Sequence, residues 1–274
     1  MEKPYIISEE LDLDSYSDQI INKTNINDFR KSLDANLRAI GKETLWVPSR
    51  DMQENINNRM KTMSLPVVSL DDRYVTATGN YLGISRAINN NLEDAGYAAR
   101  NNYSAIQRQL DAIRPLGNEI VLVDDVLFSG SMVEWLSDEL RERNVKIGAV
   151  ICGIAINEGV QKMTELGIDV IPWLKFDEVE DEICERDLAV VPGSGRRLKN
   201  RQANALYFDA EFGKPEQWAS LPAASVGDFC LNSLDCSISL LNATAPISAI
   251  GAFLGYQTNG LAQDVLAKRI GELS

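Results

Sequence analysis

The chain of 274 residues contains no histidine. Without an imidazole there is no Ser-His-Asp or Cys-His nucleophile, no histidine-ligated zinc hydrolase site and no imidazole general base. The sequence also lacks the G-x-x-x-x-G-K-[ST] pattern, which excludes a P-loop nucleotide triphosphatase. Any chemistry must therefore come from carboxylates, hydroxyls, basic side chains, backbone amides or a bound metal ion.

Positive charge is scarce as well. The chain has 27 Lys and Arg against 40 Asp and Glu, a formal net charge of −13 at pH 7. Broad surfaces for nucleic acid or anionic lipid need clustered Lys and Arg, so the balance disfavours both kinds of partner. It leaves room for a small local anion site.

Long hydrophobic runs are also missing. The longest, APISAIGAFLGY at residues 245–256, is too short to cross a bilayer and is interrupted by Pro246 and Gly251. The opening segment, MEKPYIISEELDLDSYSDQI, is acidic and does not resemble a secretion leader. The cysteines show no C-x-x-C spacing and lie at positions 152, 184, 230 and 236. These features predict a cytoplasmic protein with reduced thiols.

Apolar periodicity predicts alternating helices and strands in the first hundred residues. Residues 28–40 carry apolar side chains at helical spacing, and the acidic residues 1–30 predict a solvated arm that packs on the domain. Residues 79–104 are rich in Asn, Gly and Tyr and predict an irregular insertion. The other predicted elements are strands over 44–48, 65–70 and 73–78 and a helix over 52–63.

Residues 118–156 form the clearest unit: the strand EIVLV, a turn, a helix and the apolar strand VKIGAVICGIAI. Ser131 and Glu134 fit a capping box at the start of the helix. A βαβ unit implies a parallel sheet covered on both faces, so with a third strand over 167–174 the fold class is α/β with a wound sheet. The predicted segments are an acidic arm and first helix (1–36), an α/β core (37–205) and a mostly helical C-terminal extension (206–274).

An acid pair and a hydroxyl-rich turn interrupt this unit, in EIVLVDDVLFSGSM. Open parallel sheets bind ligands outside the carboxyl ends of their strands, where helix N-termini attract anions. Asp124 and Asp125 stand at such an end, and Ser129, Gly130 and Ser131 open the helix. Carboxylates suit sugar hydroxyls or a hydrated metal, and the turn suits a phosphate. The arrangement predicts a site for a phosphorylated ribose.

The same stretch resembles the motif with which type I phosphoribosyltransferases bind 5-phosphoribosyl 1-diphosphate (PRPP). The resemblance implies a sheet of the phosphoribosyltransferase type and Mg²⁺ as cofactor. It implies that Asp124 and Asp125 are the catalytic pair, holding the ribose hydroxyls and, directly or through water, the metal. The PRPP-binding residues that it implies are Asp124, Asp125, Phe128, Ser129, Gly130, Ser131 and Met132.

Departures from the family narrow what the resemblance implies. Members that act on 6-oxopurines carry an acid just before the Thr-Gly pair, where this chain has Phe128, so hypoxanthine and guanine are expected to be poor acceptors. The Lys-rich loop of orotate enzymes is missing, and the corresponding segment offers only Arg86 and Arg100. Ser49 and Arg50, in a loop after the first core strand, are the candidates for binding diphosphate.

The leading hypothesis is an Mg²⁺-dependent pentosyl transfer of nucleotide metabolism, from PRPP to a nitrogenous acceptor or the reverse. Such a transfer passes through a cationic sugar, which needs positioning and charge stabilisation more than a strong base. A non-catalytic PRPP- or nucleotide-sensing regulator is the alternative. The C-terminal part is loosely similar to phosphoribosyltransferase-like effectors of bacterial defence systems, which would make the chain an antiviral effector.

Three further predictions concern charges and partners. The acid pair Asp71-Asp72 lies in a polar turn and is expected to be solvated. The basic residues of 196–201 are expected to form a surface cluster that balances the acidic residues 177–187, or to contact diphosphate. A second copy of the chain or a protein from the same operon is the expected macromolecular partner.

Overall fold

Helices and strands alternate over residues 5–69 and again over residues 106–176. The computed structural model describes residues 3–11, 21–74, 79–100, 103–189, 191, 194–199, 204–205, 207 and 213–240. The helices are α1 (Ile26–Ala39), α2 (Ser49–Met60), α3 (Ile106–Ile113), α4 (Ser131–Arg141), α5 (Asn157–Glu165), α6 (Pro215–Trp218) and α7 (Val226–Leu240). The strands are β1 (Tyr5–Ser8), β2 (Thr44–Val47), β3 (Val67–Ser69), β4 (Ile84–Ile88), β5 (Asp94–Ala99), β6 (Glu119–Leu127), β7 (Lys146–Ile156), β8 (Asp169–Phe176), β9 (Asp181–Cys184), β10 (Arg196–Leu198) and β11 (Asn204–Ala205).

The chain divides into two compact units. The first unit comprises Met1–Trp46, Arg86–Gly96 and Glu180–Ser274, and the second comprises Val47–Ser85 and Tyr97–Val179. These boundaries are drawn from spatial contacts and interleave the segments, whereas the three segments predicted from the sequence are contiguous. That linear division stays a prediction.

The second unit contains a parallel sheet in the order β3-β6-β7-β8. At its centre Val123 of β6 lies beside Ser69 of β3 and Ile151 of β7. Helix α4 connects β6 to β7 and helix α5 connects β7 to β8, so two βαβ units follow each other. The predicted α/β class with a wound parallel sheet is confirmed.

Helices cover both faces of this sheet, which explains why β7 is apolar along almost its whole length. Successive side chains of a strand point to opposite faces. Cys152 packs in one cluster with Leu136 of α4 and Met163 of α5. The next residue, Gly153, faces Met52 of α2 so closely that a Cβ added there would overlap the Met52 side chain.

The N-terminal arm is a correction to the sequence prediction. Residues 5–8 are not solvated: they form β1, whose Tyr5, Ile6 and Ile7 are fully buried. Strand β1 lies between β2 and β9, and the Tyr5 hydroxyl donates to the Ala219 carbonyl at 2.8 Å. The acidic average over thirty residues hid a four-residue apolar run, which is long enough for a strand.

The first unit closes around helices from both halves of the sequence. Helices α1 and α7 contribute Phe29, Leu33, Phe229 and Leu234 to one buried cluster with Tyr5. The predicted helix over 28–40 is thus confirmed as α1. The helical pattern predicted after residue 222 is confirmed for α7, while residues 241–274 lie outside the described part.

The segment predicted to be irregular contains a β-hairpin. Strands β4 and β5 are neighbours in a sheet, and the Asn89 amide donates to the Glu93 carbonyl at 2.9 Å in the connecting turn. The Asn89 side chain accepts from the amides of Asn91 and Glu93 at 2.8 and 3.1 Å. The Asn-rich composition that suggested irregularity therefore belongs to a tight turn, where such side chains replace backbone partners.

The strand predicted over residues 73–78 is wrong at its first two residues. Asp72–Tyr74 is a 3-10 helix, because the Asp71 carboxylate accepts from the Arg73 amide at 2.8 Å and turns the chain. The remainder of that predicted strand, residues 75–78, lies outside the described part. All four cysteines are free thiols, as predicted. Among the described residues, no helix combines the length and apolar character needed to span a bilayer.

The acidic and basic segments near residues 177–201 are built into the fold more deeply than predicted. Glu185 is fully buried, and its carboxylate accepts from Arg30 Nε at 2.6 Å and Nη2 at 2.9 Å. The Arg196 guanidinium lies over the rings of Tyr207 and Trp218, 5.3 and 5.1 Å from their centroids. Glu185 and Arg196 are thus packed side chains instead of members of a balancing surface cluster.

Candidate functional site

Strand β6 continues past the acid pair instead of ending before it. The sequence predicted a strand of EIVLV alone, but β6 includes Asp124, Asp125 and Leu127. The long neighbour β7 extends the ladder, so that Asp124 lies beside Cys152 and Leu127 beside Ala155. The acids therefore stand on a fixed, paired backbone, which holds their positions better than a loop would.

The two carboxylates of the pair differ in their surroundings. Burial, and then the neighbouring carboxylates of Asp125 and Asp71, raise the pKa of Asp124 well above its usual range; Arg100 opposes this in part. Asp125 is more open, with 27% of its side chain exposed. A cation or hydroxyl donors next to Asp124 would therefore favour its ionised form.

A third carboxylate and an arginine complete the acidic end of the site. Asp71, predicted to be solvated, is buried and accepts from the Arg73 amide and guanidinium, Nη2 at 2.5 Å. Arg73 Nη2 also lies 3.4 Å from Asp125 Oδ2. Burial alone would raise the pKa of Asp71, but Arg73 overcomes it and lowers the pKa to about 2. The sequence Asp71-Asp72-Arg73 suggests the turn in which Asp71 binds Arg73. Nothing in the neighbouring sequence indicates the contact between Arg73 and Asp125.

The turn after β6 is shaped for an anion. Gly130 precedes α4 with φ of +73°, a left-handed conformation that glycine adopts without strain. The hydroxyls of Ser129 and Ser131 lie 3.0 Å apart, and the Ser131 amide faces Ser129 Oγ at 3.4 Å. Amides in the first turn of a helix lack intrahelical partners and attract anions. Hydroxyls and amides therefore converge where the motif predicts phosphate.

The predicted capping box is wrong. Ser131 is the first residue of α4 and Gly130 is its N-cap, so the N-cap residue has no side chain with which to cap the helix. The Glu134 carboxylate instead accepts from Lys162 Nζ at 3.1 Å. The left-handed Gly130 moves the helix start one residue earlier than the S-x-x-E pattern suggests.

Helix α5 packs directly against this turn. A Cβ added at Gly159 would overlap the Phe128 carbonyl oxygen, and one added at Gly130 would lie 2.9 Å from Met163 Cε. Gly159 and Met163 share one helical face with Lys162, at spacing i, i+4 and i+3. The missing side chain at Gly159 lets α5 hold the turn in place.

The residues predicted to bind diphosphate lie in a helix instead of a loop, and their role stays a prediction. Ser49 and Arg50 are in the first turn of α2, with Pro48 as N-cap, and do not form a loop. Within the described part of the chain, neither residue forms a hydrogen bond or an ion pair with Asp124 or Asp125. Arg100 donates to the carbonyls of Ile84 and Leu70, at 3.2 and 3.4 Å, and so supports the backbone beside the site.

The carboxylates fit a hydrated divalent cation. Asp71 and Asp125 offer carboxylate oxygens within 4.8 Å of each other. Mg²⁺ binds proteins through one or two carboxylates, retains water and takes its remaining ligands from substrate phosphates. The sequence assigned the metal to Asp124 and Asp125; the structure adds Asp71 to the set that could hold it.

Known proteins share part of the sequence. No family model matches the chain. It is 34% identical over 67 residues to the hypoxanthine/guanine phosphoribosyltransferase of Methanohalophilus mahii, a match that covers 24% of this chain and 35% of the relative. The chain therefore spans about a third of the length of the curated relative it matches. This match confirms the predicted resemblance to phosphoribosyltransferases.

Solved structures give low overall similarity. Adenine phosphoribosyltransferase from Thermoanaerobacter pseudethanolicus is 12% identical, with 47% of this chain and 80% of that chain covered at a TM-score of 0.31. Orotate phosphoribosyltransferase from Mycobacterium tuberculosis in complex with PRPP is 10% identical, with 46% and 71% covered at a TM-score of 0.28. The curated relative is not a defence protein by name, so the antiviral alternative gains no support from it.

The packing of α5 on the turn can be tested by filling its gap. Gly159→Ala is expected to destabilise the protein by about 1–3 kcal/mol, because the new methyl group meets backbone that cannot rotate away. Urea denaturation gives the change in unfolding free energy.

Gly227→Ala is the matched control, since a Cβ there has nothing within 4 Å. In helix α7 alanine is expected to leave stability unchanged or raise it by up to about 1 kcal/mol. Equal stability of the two variants would contradict the close approach of α5.

The buried Asp71 carboxylate predicts a pH-dependent stability difference. Its pKa is lowered from 3.8 to about 2, which corresponds to stabilisation of about 2 kcal/mol. This contribution is complete above the unfolded-state pKa and is lost as pH falls through the folded-state pKa. Asp71→Asn should therefore lower stability at neutral pH, and its gap to wild type should shrink between pH values of about 4 and 2.

Chemical denaturation across this pH range checks the prediction. Asp138→Asn is the control, because Asp138 is 67% exposed and pairs with Arg141 on its own helix. Exposed pairs contribute little. A gap for Asp71→Asn that stays constant with pH would show that the Arg73 contact does not stabilise the folded state.

Proposed function

We propose that the carboxyl end of β6 and the turn that follows bind PRPP, and that the protein transfers the phosphoribosyl group between diphosphate and a nitrogenous acceptor. One observation carries this proposal: two carboxylates on a paired strand lead into a glycine-bent, hydroxyl-rich turn that opens a helix. The matched segment of the archaeal phosphoribosyltransferase supports it. A phosphorylated sugar needs both parts of such a site: carboxylates for its hydroxyls and a turn for its phosphate.

The two halves take different parts of the ligand. Asp124 and Asp125 accept hydrogen bonds from the ribose 2′- and 3′-hydroxyls, which replace for Asp124 some of the hydration that burial removes. The hydroxyls of Ser129 and Ser131, with the free amides of the first turn of α4, bind the 5′-phosphate. Gly130 keeps that turn open to close approach by the phosphate oxygens.

The same residues suit the chemistry of the transfer. The bond between C1 of the ribose and a diphosphate oxygen breaks, and a bond between C1 and the acceptor nitrogen forms. Positive charge develops on the sugar ring as the first bond stretches, and fixed carboxylates stabilise it without reorganising. No step requires an imidazole, which agrees with a chain that has no histidine.

Mg²⁺ fits the acidic end of this site. Asp125 and Asp71 would hold the ion, with diphosphate oxygens and water as its other ligands. Bound there, it would neutralise charge on the leaving diphosphate. The Arg73 guanidinium lies beside the carboxylates of Asp71 and Asp125. It would offer the diphosphate oxygens a second positive group.

A non-catalytic PRPP or nucleotide sensor is the second candidate. One observation favours it: the residues expected to bind diphosphate, Ser49 and Arg50, lie in a helical first turn instead of a loop. Such a protein would bind PRPP without consuming it. A second copy of the chain or another protein would be the partner that such a sensor regulates.

The double variant Asp124→Asn/Asp125→Asn tests the site. Removing two charges while keeping size should lower PRPP affinity by roughly 1.5–3 kcal/mol for each charge-assisted hydrogen bond lost. Thermal stability without ligand should stay unchanged or rise, because burial and like charge already penalise ionised Asp124. Calorimetric titration with PRPP and Mg²⁺, and melting temperature on the same preparation, give both quantities.

Asp111→Asn serves as the control for this variant, since Asp111 is 69% exposed and pairs with Arg143. It should bind PRPP like wild type. If the double variant also binds PRPP like wild type, the acids do not form the ribose site.

Acceptor selectivity follows from Phe128. Because this position lacks the acid that 6-oxopurine enzymes use, hypoxanthine and guanine should be poorer acceptors than other nitrogenous bases. Mass spectrometry of wild type with PRPP, Mg²⁺ and an equimolar pool of bases identifies the nucleotide formed. Efficient use of hypoxanthine or guanine, as the name of the archaeal relative suggests for that protein, would refute the inference from Phe128. Binding of PRPP without any nucleotide formed would select the sensor.

A further inference from the structure

A lysine outside the motif reaches the proposed phosphate turn. Lys162 Nζ lies 3.5 Å from Ser131 Oγ and 3.1 Å from Glu134 Oε2. Ser131 begins α4 and carries one of the two hydroxyls of the turn. The ammonium group therefore lies beside the hydroxyls and free amides that the proposed function assigns to the 5′-phosphate.

Packing fixes this lysine in place. Lys162 shares a helical face with Gly159 and Met163, which approach Phe128 and Gly130 of the turn. The base of the side chain is thus anchored on both sides by contacts between α5 and the turn. Its exposed fraction of 31% leaves the ammonium within reach of a ligand.

The turn needs positive charge that its own residues do not supply. Residues 128–134, FSGSMVE, contain one acid and no basic side chain. A sugar phosphate carries up to two negative charges, and hydroxyls and amides neutralise none of them. An ammonium on a flexible stem is a point charge suited to phosphate oxygens.

We propose that Lys162 is a further binding residue of the 5′-phosphate site, and that Glu134 holds its ammonium in the ligand-free protein and competes with the phosphate for it. The inference rests on the proposed function. It makes the ion pair a ligand-sensitive contact: phosphate binding moves Lys162 Nζ from Glu134 towards the turn.

Opposite effects of two substitutions test this inference. Lys162→Gln should lower the affinity for PRPP and for ribose 5-phosphate roughly tenfold, as loss of a charge-assisted contact predicts. Glu134→Gln should raise both affinities by a factor of about two to five, because the competing carboxylate is gone. Inorganic diphosphate, which has no 5′-phosphate, should bind all variants equally. Calorimetric titration measures each affinity.

Two controls separate charge from structure. Lys146→Gln removes a lysine that is 65% exposed and pairs with Glu119 at 3.4 Å, and it should leave all three affinities unchanged. Lys162→Arg keeps the charge and should restore most of the lost affinity. A merely structural ion pair would instead move binding in the same direction for Lys162→Gln and Glu134→Gln, together with the melting temperature.

Each outcome decides the inference. If Lys162→Gln binds ribose 5-phosphate like wild type, or loses diphosphate affinity equally, the assignment of Lys162 to the 5′-phosphate is overturned while the proposed PRPP site stands. If wild type binds neither PRPP nor ribose 5-phosphate, the proposed function and this inference fail together.

Discussion

The parallel ladder between β6 and β7 is the constraint on which the site depends. Backbone pairing normally belongs to the apolar middle of a sheet, yet here it continues to Leu127 beside Ala155 and carries two carboxylates with it. The ladder fixes the backbone of Asp124, and a fixed carboxylate needs little reorganisation to stabilise charge, so the site is preorganised. The turn at Ser129–Ser131 is held at its start by the same ladder, because it begins just after the last paired residue, Leu127.

Two glycines let helices approach the strands of this ladder closely. Gly153 lets α2 settle on one face of β7, and Gly159 lets α5 press against the turn after β6. Charge balance is local: a chain with a net charge of −13 places Arg73, Arg100 and Lys162 around one strand end.

The sequence predicts the parts of this architecture that local patterns encode. The apolar runs give β6, β7 and β8, and helical spacing gives α1 and α2. The glycine turn and the acid pair are recognisable because their chemistry lies within one short stretch. The contacts of Arg73 with Asp125 and of Lys162 with Ser131 join residues 52 and 31 positions apart. Such pairs depend on tertiary packing, which no local periodicity specifies. Average composition over long segments gave wrong predictions in two places. It hid the buried strand at Tyr5, and it suggested irregular structure where Asn89 forms a hairpin turn.

The pairing of β1 with β9 joins Tyr5–Ser8 to Asp181–Cys184 across most of the described chain. On the ribosome, β1 can pair with β2 early, but its second partner, β9, does not exist until residue 184 has left the exit tunnel. The sheet β3-β6-β7-β8 needs no residue beyond Phe176 and is complete earlier in synthesis. Contacts of long sequence separation form late because closing them is entropically costly. One side of β1 therefore stays unpaired for much of synthesis, which makes the apolar stretch at Tyr5–Ile7 a natural binding segment for a chaperone.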